Sequence, residues 1–333
     1  PSTCSAARVP KLFPVQSDFR GVLNIMGLRH RSVKKPRSSS RSSAARLLLP
    51  LLLVLIGVGV LLYPVVATVW NNAQQSSQVE AYASQVQDPA TQQRYVDELR
   101  EAQDWNAQFQ GGPILDPWLA RVEADNLEYQ RYLDVLDVGE VMGRVVIPAI
   151  SSDLPIYHGS DESVLAKGIG HLYGSAFPVG GEGTHAVLTG HTGLSQATLW
   201  DNLVDVKKGD AIYVDVAGQK LKYVVEDTFV VLPTETDKLA PVPGRDMITL
   251  ITCTPYGVNS HRLLVQAVRA EMEPGEANQV FDTVHHPWQG WMTAVLGSAA
   301  VIVLLVIAAF AWVLRQRKKA HTEINTPTVE AKV

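Results

Sequence analysis

Two cysteines occur in this chain, Cys4 and Cys253, and the second sits where a thiol could do chemistry. The run Met247 to Thr252 is β-branched and apolar, Cys253 ends it, and Pro255 with Gly257 then turns the chain. His261-Arg262 opens a second apolar run, LLVQAV. A thiol buried in mid-strand is inert packing, whereas one at a strand end beside a fixed cation can ionise. A proton partner is available at the end of another apolar run, AVL, where Thr189-Gly190-His191 presents an imidazole. Free thiol and imidazole titrate near ~8.5 and ~6.5, so only their surroundings can make them a nucleophile and a proton carrier at neutral pH. Cys253, His191 and Arg262 are the candidate catalytic residues, for covalent catalysis by a sulfur nucleophile.

Blander readings compete with this one. A lone cysteine is more often a small buried hydrophobe. What argues otherwise is the company of His191 and Arg262. His158, His171 and His185 stand in loops or at strand starts and read as structural, and His261 would point to the face opposite Arg262 once the strand has begun. No H-x-x-x-H or C-x-x-C spacing exists, so neither metal nor cofactor is expected. A papain-like protease would also use Cys and His, but its sequence context around the cysteine is absent. A non-catalytic surface domain is the further alternative.

The elements that must position these residues are short strands. VMGRVVIP, LPIYHG, HAVLTG, DAIYVDV, KLKYVVEDTFVVL, MITLITC and RLLVQAVRA follow one another from Val141 to Ala270, punctuated by Asp210, Gly218 and Gly244. Strands this many and this short suggest a closed or nearly closed barrel, with a sandwich left open by periodicity alone. Asp201 to Gly209 reads as a short helix or turn, and Thr234 to Asp246 as a long proline-containing loop beside the cysteine strand. Upstream, Asn71 to Gln110 has a helical composition, with Asp88-Pro89 as N-cap and first helical residue and Tyr95, Leu99 and Trp105 as a sparse apolar face. Gly111-Gly112-Pro113 stops it, and a second helical pattern runs through Leu127, Tyr132, Leu133 and Leu136.

Two uncharged hydrophobic blocks, Leu47 to Trp70 and Trp291 to Leu314, are each 24 residues long, where about 20 cross a bilayer. The first is too long for a signal peptide's apolar core of ~7–15 residues and lacks a clean cleavage site, so an uncleaved anchor is expected, with a cleaved signal as the alternative. Arg29 to Arg46 is basic without an acid, and Arg315, Arg317, Lys318 and Lys319 follow the second block. Both flanks prefer the cytoplasm, so the intervening segment faces outward. Residues 71–290 hold 14 Lys+Arg and 30 Asp+Glu, a net −16 that the whole-chain value of −4 conceals. An acidic outer domain argues against nucleic acid as a partner. Cys4 and Cys253 lie on opposite sides of the membrane in this topology and do not pair. Residues 1–28 begin with Pro and have no periodicity; they are expected to be disordered or to precede a start at Met26.

A TGH, then TLITC with its cysteine 62 residues after the histidine, then an Arg opening the next strand, resembles the sortases, cysteine transpeptidases of Gram-positive cell surfaces. GIGHLYGSAFPVGGEGTHAVLTGHTGL, the triplet Asp116-Pro117-Trp118 and hydrophobic segments at both ends resemble the pilin-polymerising class C branch. The resemblance covers Asp116 to Glu271. It implies a mainly β fold, a closed sortase-like barrel with a helical N-terminal arm and lid loop, flanked by two transmembrane helices. The expected layout is a cytoplasmic leader 1–46, a span 47–70, the arm 71–140, the barrel 141–272, a linker 273–290, a span 291–314 and a cytoplasmic tail 315–333. It also implies a lid in which Asp116 sits near Cys253 and Arg262 while Trp118 covers the cleft. The implied substrates are LPxTG-like sorting signals of pilins or surface proteins, with a Lys amine as acceptor. A housekeeping-type sortase, which anchors surface proteins to the cell wall, usually has one N-terminal anchor and no lid, and is the rival within the family.

Overall fold

The computed structural model describes residues 41–108, 116, 125–283 and 287–324, and side chains from Leu49 to Gln316 among them. The leader, the basic tract up to residue 40, Cys4, the stop at Gly111-Gly112-Pro113, Trp118 and the end of the tail lie outside the described residues. Pro50–Val333 is one compact unit; of the unit before it, Pro1–Leu49, only the start of the first helix is described.

Eight strands close a barrel: β1 Gly143–Ile147, β2 Ser152–His158, β3 Ile169–His171, β4 His185–Thr189, β5 Ala211–Val216, β6 Gln219–Val231, β7 Met247–Thr254 and β8 His261–Ala270. Their order around the wall is β1-β2-β3-β4-β7-β8-β6-β5, with β5 pairing back onto β1. The β2–β3 and β4–β7 pairs are parallel and the others antiparallel. Seven of these strands match the seven sequence segments. The eighth, β3, has three residues and lies inside the GIGH stretch, too short to show a period.

Alternation sorts the β7 and β8 side chains into two layers. Ile248 and Leu250, facing Ala267 and Val265, belong to the large core inside the barrel. Ile251, paired with Leu264, belongs to a smaller cluster on the other face, together with Val187, Val231, Leu239 and Leu172. Strand β6 contributes to both because it is bulged between Val225 and Asp227. Before the bulge Leu221, Tyr223 and Val225 point inward; after it Phe229 and Val231 pair with Leu264 and Arg262 on the outer face. One inserted residue reverses which face the odd positions occupy. The outer cluster is roofed by Leu239, from a 3₁₀ turn in the β6–β7 loop, and His185 ties that loop down through Ala240 O at 3.0 Å and Thr249 Oγ1 at 2.7 Å.

The helices are α1 Arg41–Gln87, α2 Gln92–Gln108, α3 Leu127–Asp134, α4 Glu162–Leu165, α5 Glu276–Phe281 and α6 Gly290–Ile324. Two of them, over Leu49–Gln87 and Gly290–Gln316, are long and apolar enough to cross a membrane. Three expectations need correction. The first span and the start of the arm, as far as Gln87, are one continuous helix, because backbone hydrogen bonding is indifferent to the change from apolar to polar side chains at Trp70. Helix α2 starts at Gln92 rather than at Pro89: Asp88 Oδ1 accepts from the Ala90 N–H at 2.9 Å and Thr91 reaches back to Gln85 O, so these residues form a turn first. Leu136 is outside α3; it takes a left-handed φ of 61° and is buried in the core, while Asn126 caps α3 through the N–H groups of Glu128 and Tyr129.

The segment 273–290 is also more than a linker. Helix α5 docks on the barrel wall, where Arg144 donates to Phe281 O at 2.9 Å and stacks over its ring, held in turn by Asp153. Glu276 bridges Lys222 at 2.6 Å and accepts from Tyr213, and these partners hold its carboxyl down at about 2. The polypeptide therefore leaves β8 by a fixed route as far as Phe281.

Candidate active site

Cys253 lies near the end of β7, and its cross-strand partner is Arg262 near the start of β8. Residues directly opposed in an antiparallel pair project to the same face, so thiol and guanidinium share the outer layer with Ile251 and Leu264. The parallel alignment of β4 with β7 brings the third residue in. Thr189 pairs with Ile251, the Gly190 N–H donates to Ile251 O at 3.0 Å, and Thr252 Oγ1 donates to Gly190 O at 2.8 Å. His191 follows two residues after Thr189, so it leaves β4 at the end where β7 carries Cys253. The hairpin of β7 and β8 thus carries two candidates, and the chain leaving the neighbouring strand β4 carries the third.

Glycine at position 190 has a steric reason. A Cβ there would meet Ile169 Cδ1 at 2.6 Å and the Trp200 ring at 2.8 Å, and Trp200 is fully buried. The motif's glycine lets the chain pass over the indole on its way to His191.

Arg262 is held by a carboxylate from far upstream. Its Nε donates to Asp116 Oδ2 at 2.7 Å and its Nη2 to Asp116 Oδ1 at 3.1 Å, with the two side chains 7% and 6% exposed. Nη1 is directed at Asn259 O and His261 O, both at 3.2 Å. This two-pronged geometry is the one a guanidinium offers a carboxylate. Cys253 is 8% exposed, and burial pushes its thiol up from the ordinary value; Arg262 pulls it down and Asp116 pushes it up again. In this arrangement burial and the Asp116 carboxylate both oppose ionisation of the sulfur, and Arg262 favours it.

His191 Nε2 lies 3.3 Å from Glu162 Oε2, a carboxylate two-thirds exposed at the start of α4. Sequence reasoning missed Glu162; one acid in a turn has no spacing that ties it to a histidine 29 residues on. His158, His171 and His185 are structural as expected, bonded respectively to Val135 O, Tyr132 with Ala176 O, and Ala240 O with Thr249. Among the described residues, no group of three or more His, Cys, Asp or Glu side chains converges on a metal position.

A family model, the sortase domain, matches residues 145–270. The solved sortase C-1 of Actinomyces oris is 56% identical over 54% of this chain and 99% of its own, with a TM-score of 0.53. The chain belongs to the sortase family. A second solved relative, Streptococcus pneumoniae sortase C, is 38% identical over 59% of this sortase and 97% of its own length, TM-score 0.53. These neighbours group this sortase with class C. Sortase A of Bacillus anthracis is 34% identical over 130 residues, 39% of this chain and 60% of that protein. Sortases are cysteine transpeptidases acting on sorting signals of surface proteins, and the thiol, imidazole and guanidinium of this sortase lie on β7, at the end of β4 and on β8.

Proposed function

We propose that this sortase cleaves an LPxTG-like sorting signal between Thr and Gly and joins the freed carbonyl to a Lys amine of another pilin subunit. The observation that carries this reading is the cross-strand pairing of Cys253 with Arg262, with His191 two residues past the Thr189–Ile251 pair that joins β4 to β7. Cys253, as thiolate, adds to the Thr carbonyl, and the developing oxyanion is met by the Arg262 guanidinium. His191, as imidazolium, gives its proton to the leaving Gly amine, and a thioester remains. The Lys amine then attacks the thioester, His191 takes the amine proton, the C–S bond breaks and an isopeptide bond is left.

Asp116 occupies the prongs of Arg262 that this scheme needs. The lid therefore leaves before substrate binds, and its departure removes the carboxylate that raises the thiol pKa. Opening the site and activating the sulfur are one event. Trp118 is assigned to the same lid, as the group that keeps water from the thiol.

The two apolar helices are membrane spans in this reading, with both termini cytoplasmic and the barrel outside. The basic flanks and the acidic segment between them support that orientation. The deciding experiment incubates the full chain, with Asp116→Ala and Trp118→Ala, with an LPxTG-type peptide and a pilin domain, and weighs the products. An adduct of pilin and peptide that requires Cys253 is expected. Peptide released by water at the same rate with or without the amine would make the protein a protease instead.

A further inference from the structure

The loop after His191 is held from two sides by the membrane helices. Asp201, half-buried at the start of a 3₁₀ turn, accepts through Oδ1 from the Gly193 N–H at 2.7 Å and from Thr192 Oγ1 at 3.0 Å. These are the two residues directly after His191, and Gly193 has a φ of 81° that makes the turn possible. The other oxygen, Oδ2, accepts from Gln289 Nε2 at 2.9 Å, one residue before α6 begins. Gln289 is itself oriented by Trp291, whose indole N–H donates to its Oε1. From the opposite side α1 clips the same loop. Asn72 donates to Thr198 Oγ1 at 2.9 Å and accepts from the Thr198 N–H at 3.2 Å, while Asn71 donates to Gln196 O at 2.7 Å. The loop closes where the Trp200 N–H donates to His191 O at 3.1 Å.

We propose that Asp201 is a positioning residue for His191, and that the two membrane helices set the histidine through it and through Asn72. The helices are then part of the catalytic apparatus as well as anchors. A carboxylate accepting three hydrogen bonds, two from the histidine turn and one from the foot of α6, transmits a displacement of that helix to the turn carrying the imidazole. Gln289 is suited to this because both ends of its amide are engaged: Nε2 on Asp201 and Oε1 on Trp291 fix its orientation. The inference rests on the thioester mechanism above, in which His191 carries the proton to the leaving amine.

The test uses the full chain in lipid nanodiscs with the lid opened by Asp116→Ala, and a fluorogenic LPxTG-type peptide. Gln289→Ala cuts the link to α6 and leaves the Asp201 turn intact, and Asn72→Ala removes the two bonds by which α1 holds Thr198. Each is expected to lower kcat roughly tenfold with KM changed less than about twofold, as a misplaced proton carrier does. Neither should lower the unfolding temperature by more than a few degrees. In a His191→Ala background, adding Gln289→Ala should cost nothing further, since residues acting through one group do not add. Unchanged kcat in both single variants overturns the proposal, as does an equal loss in the presence and absence of His191. If the lid-opened parent consumes no peptide in a Cys253-dependent way, the transpeptidase reading falls first and this inference with it.

Discussion

Arg262 and Asp116, 146 residues apart, meet in a buried two-pronged ion pair at 2.7 and 3.1 Å, one strand away from the Cys253 sulfur. Asp116 thus does two things at once: it fills the guanidinium and it raises the pKa of the thiol.

Replacing Asp116 by Asn removes the charge and keeps the shape. The carboxylate raises the Cys253 pKa, so the pH midpoint of alkylation by an uncharged reagent is expected to move down in Asp116→Asn. A pH series of alkylation rates measures this; a midpoint that stays put or moves up would refute the electrostatic role.

The guanidinium is expected to matter by its geometry as well as its charge. Arg262→Ala should lower peptide turnover by about 10²–10³, the usual loss for one donor to a developing oxyanion. It should also shift the alkylation midpoint up, because Arg262 lowers the thiol pKa. Arg262→Lys should restore the midpoint more than the turnover, since an ammonium supplies the charge but not the fork. Steady-state kinetics on the lid-opened chain separates the two effects.

Gly190→Ala puts a methyl group into the Trp200 ring at 2.8 Å and against Ile169 at 2.6 Å. Ile169 can shift its terminal carbon, but the fully buried indole cannot, so overpacking should cost about 1–3 kcal/mol. The chain beyond it carries His191, so activity should fall even where folding survives. Urea denaturation and peptide turnover on the same variant check both halves.

Acid should destabilise the barrel from a defined point. His171 is fully buried against Tyr132 and Ala176, and burial holds its pKa down at about 3; His158 and His185 are lowered by burial too. An unfolded histidine takes a proton near ~6.5. The stabilisation is therefore complete above that pH and is lost progressively as pH falls towards the folded values. Asp201 and Asp215, raised by burial, act in the opposite sense, at pH values nearer the carboxylate range. Thermal unfolding across pH 7 to 4 should show the decline, and His171→Gln, where it folds, should flatten it.

Local patterns carried much of this protein in its sequence. Seven strands, the two apolar spans and the Cys253–Arg262 hairpin are written in runs of adjacent residues, and a turn of six residues suffices to bring that pair together. The TGH motif announced His191 because its neighbours also form a strand. Strand β3 escaped because its identity comes from β2 and β4 on either side rather than from its three residues. The union of the span and the start of the arm in α1 escaped because side-chain polarity changes where the backbone does not. Closure through β1 and β5, the bulge that sends Val231 to the outer face, and the carboxylates Glu162 and Asp201 beside the histidine loop were decided by tertiary structure alone. A charged side chain in a loop has no period to read. Its partner is chosen by how strands distant in sequence lie side by side, and that choice exists only once the barrel has closed.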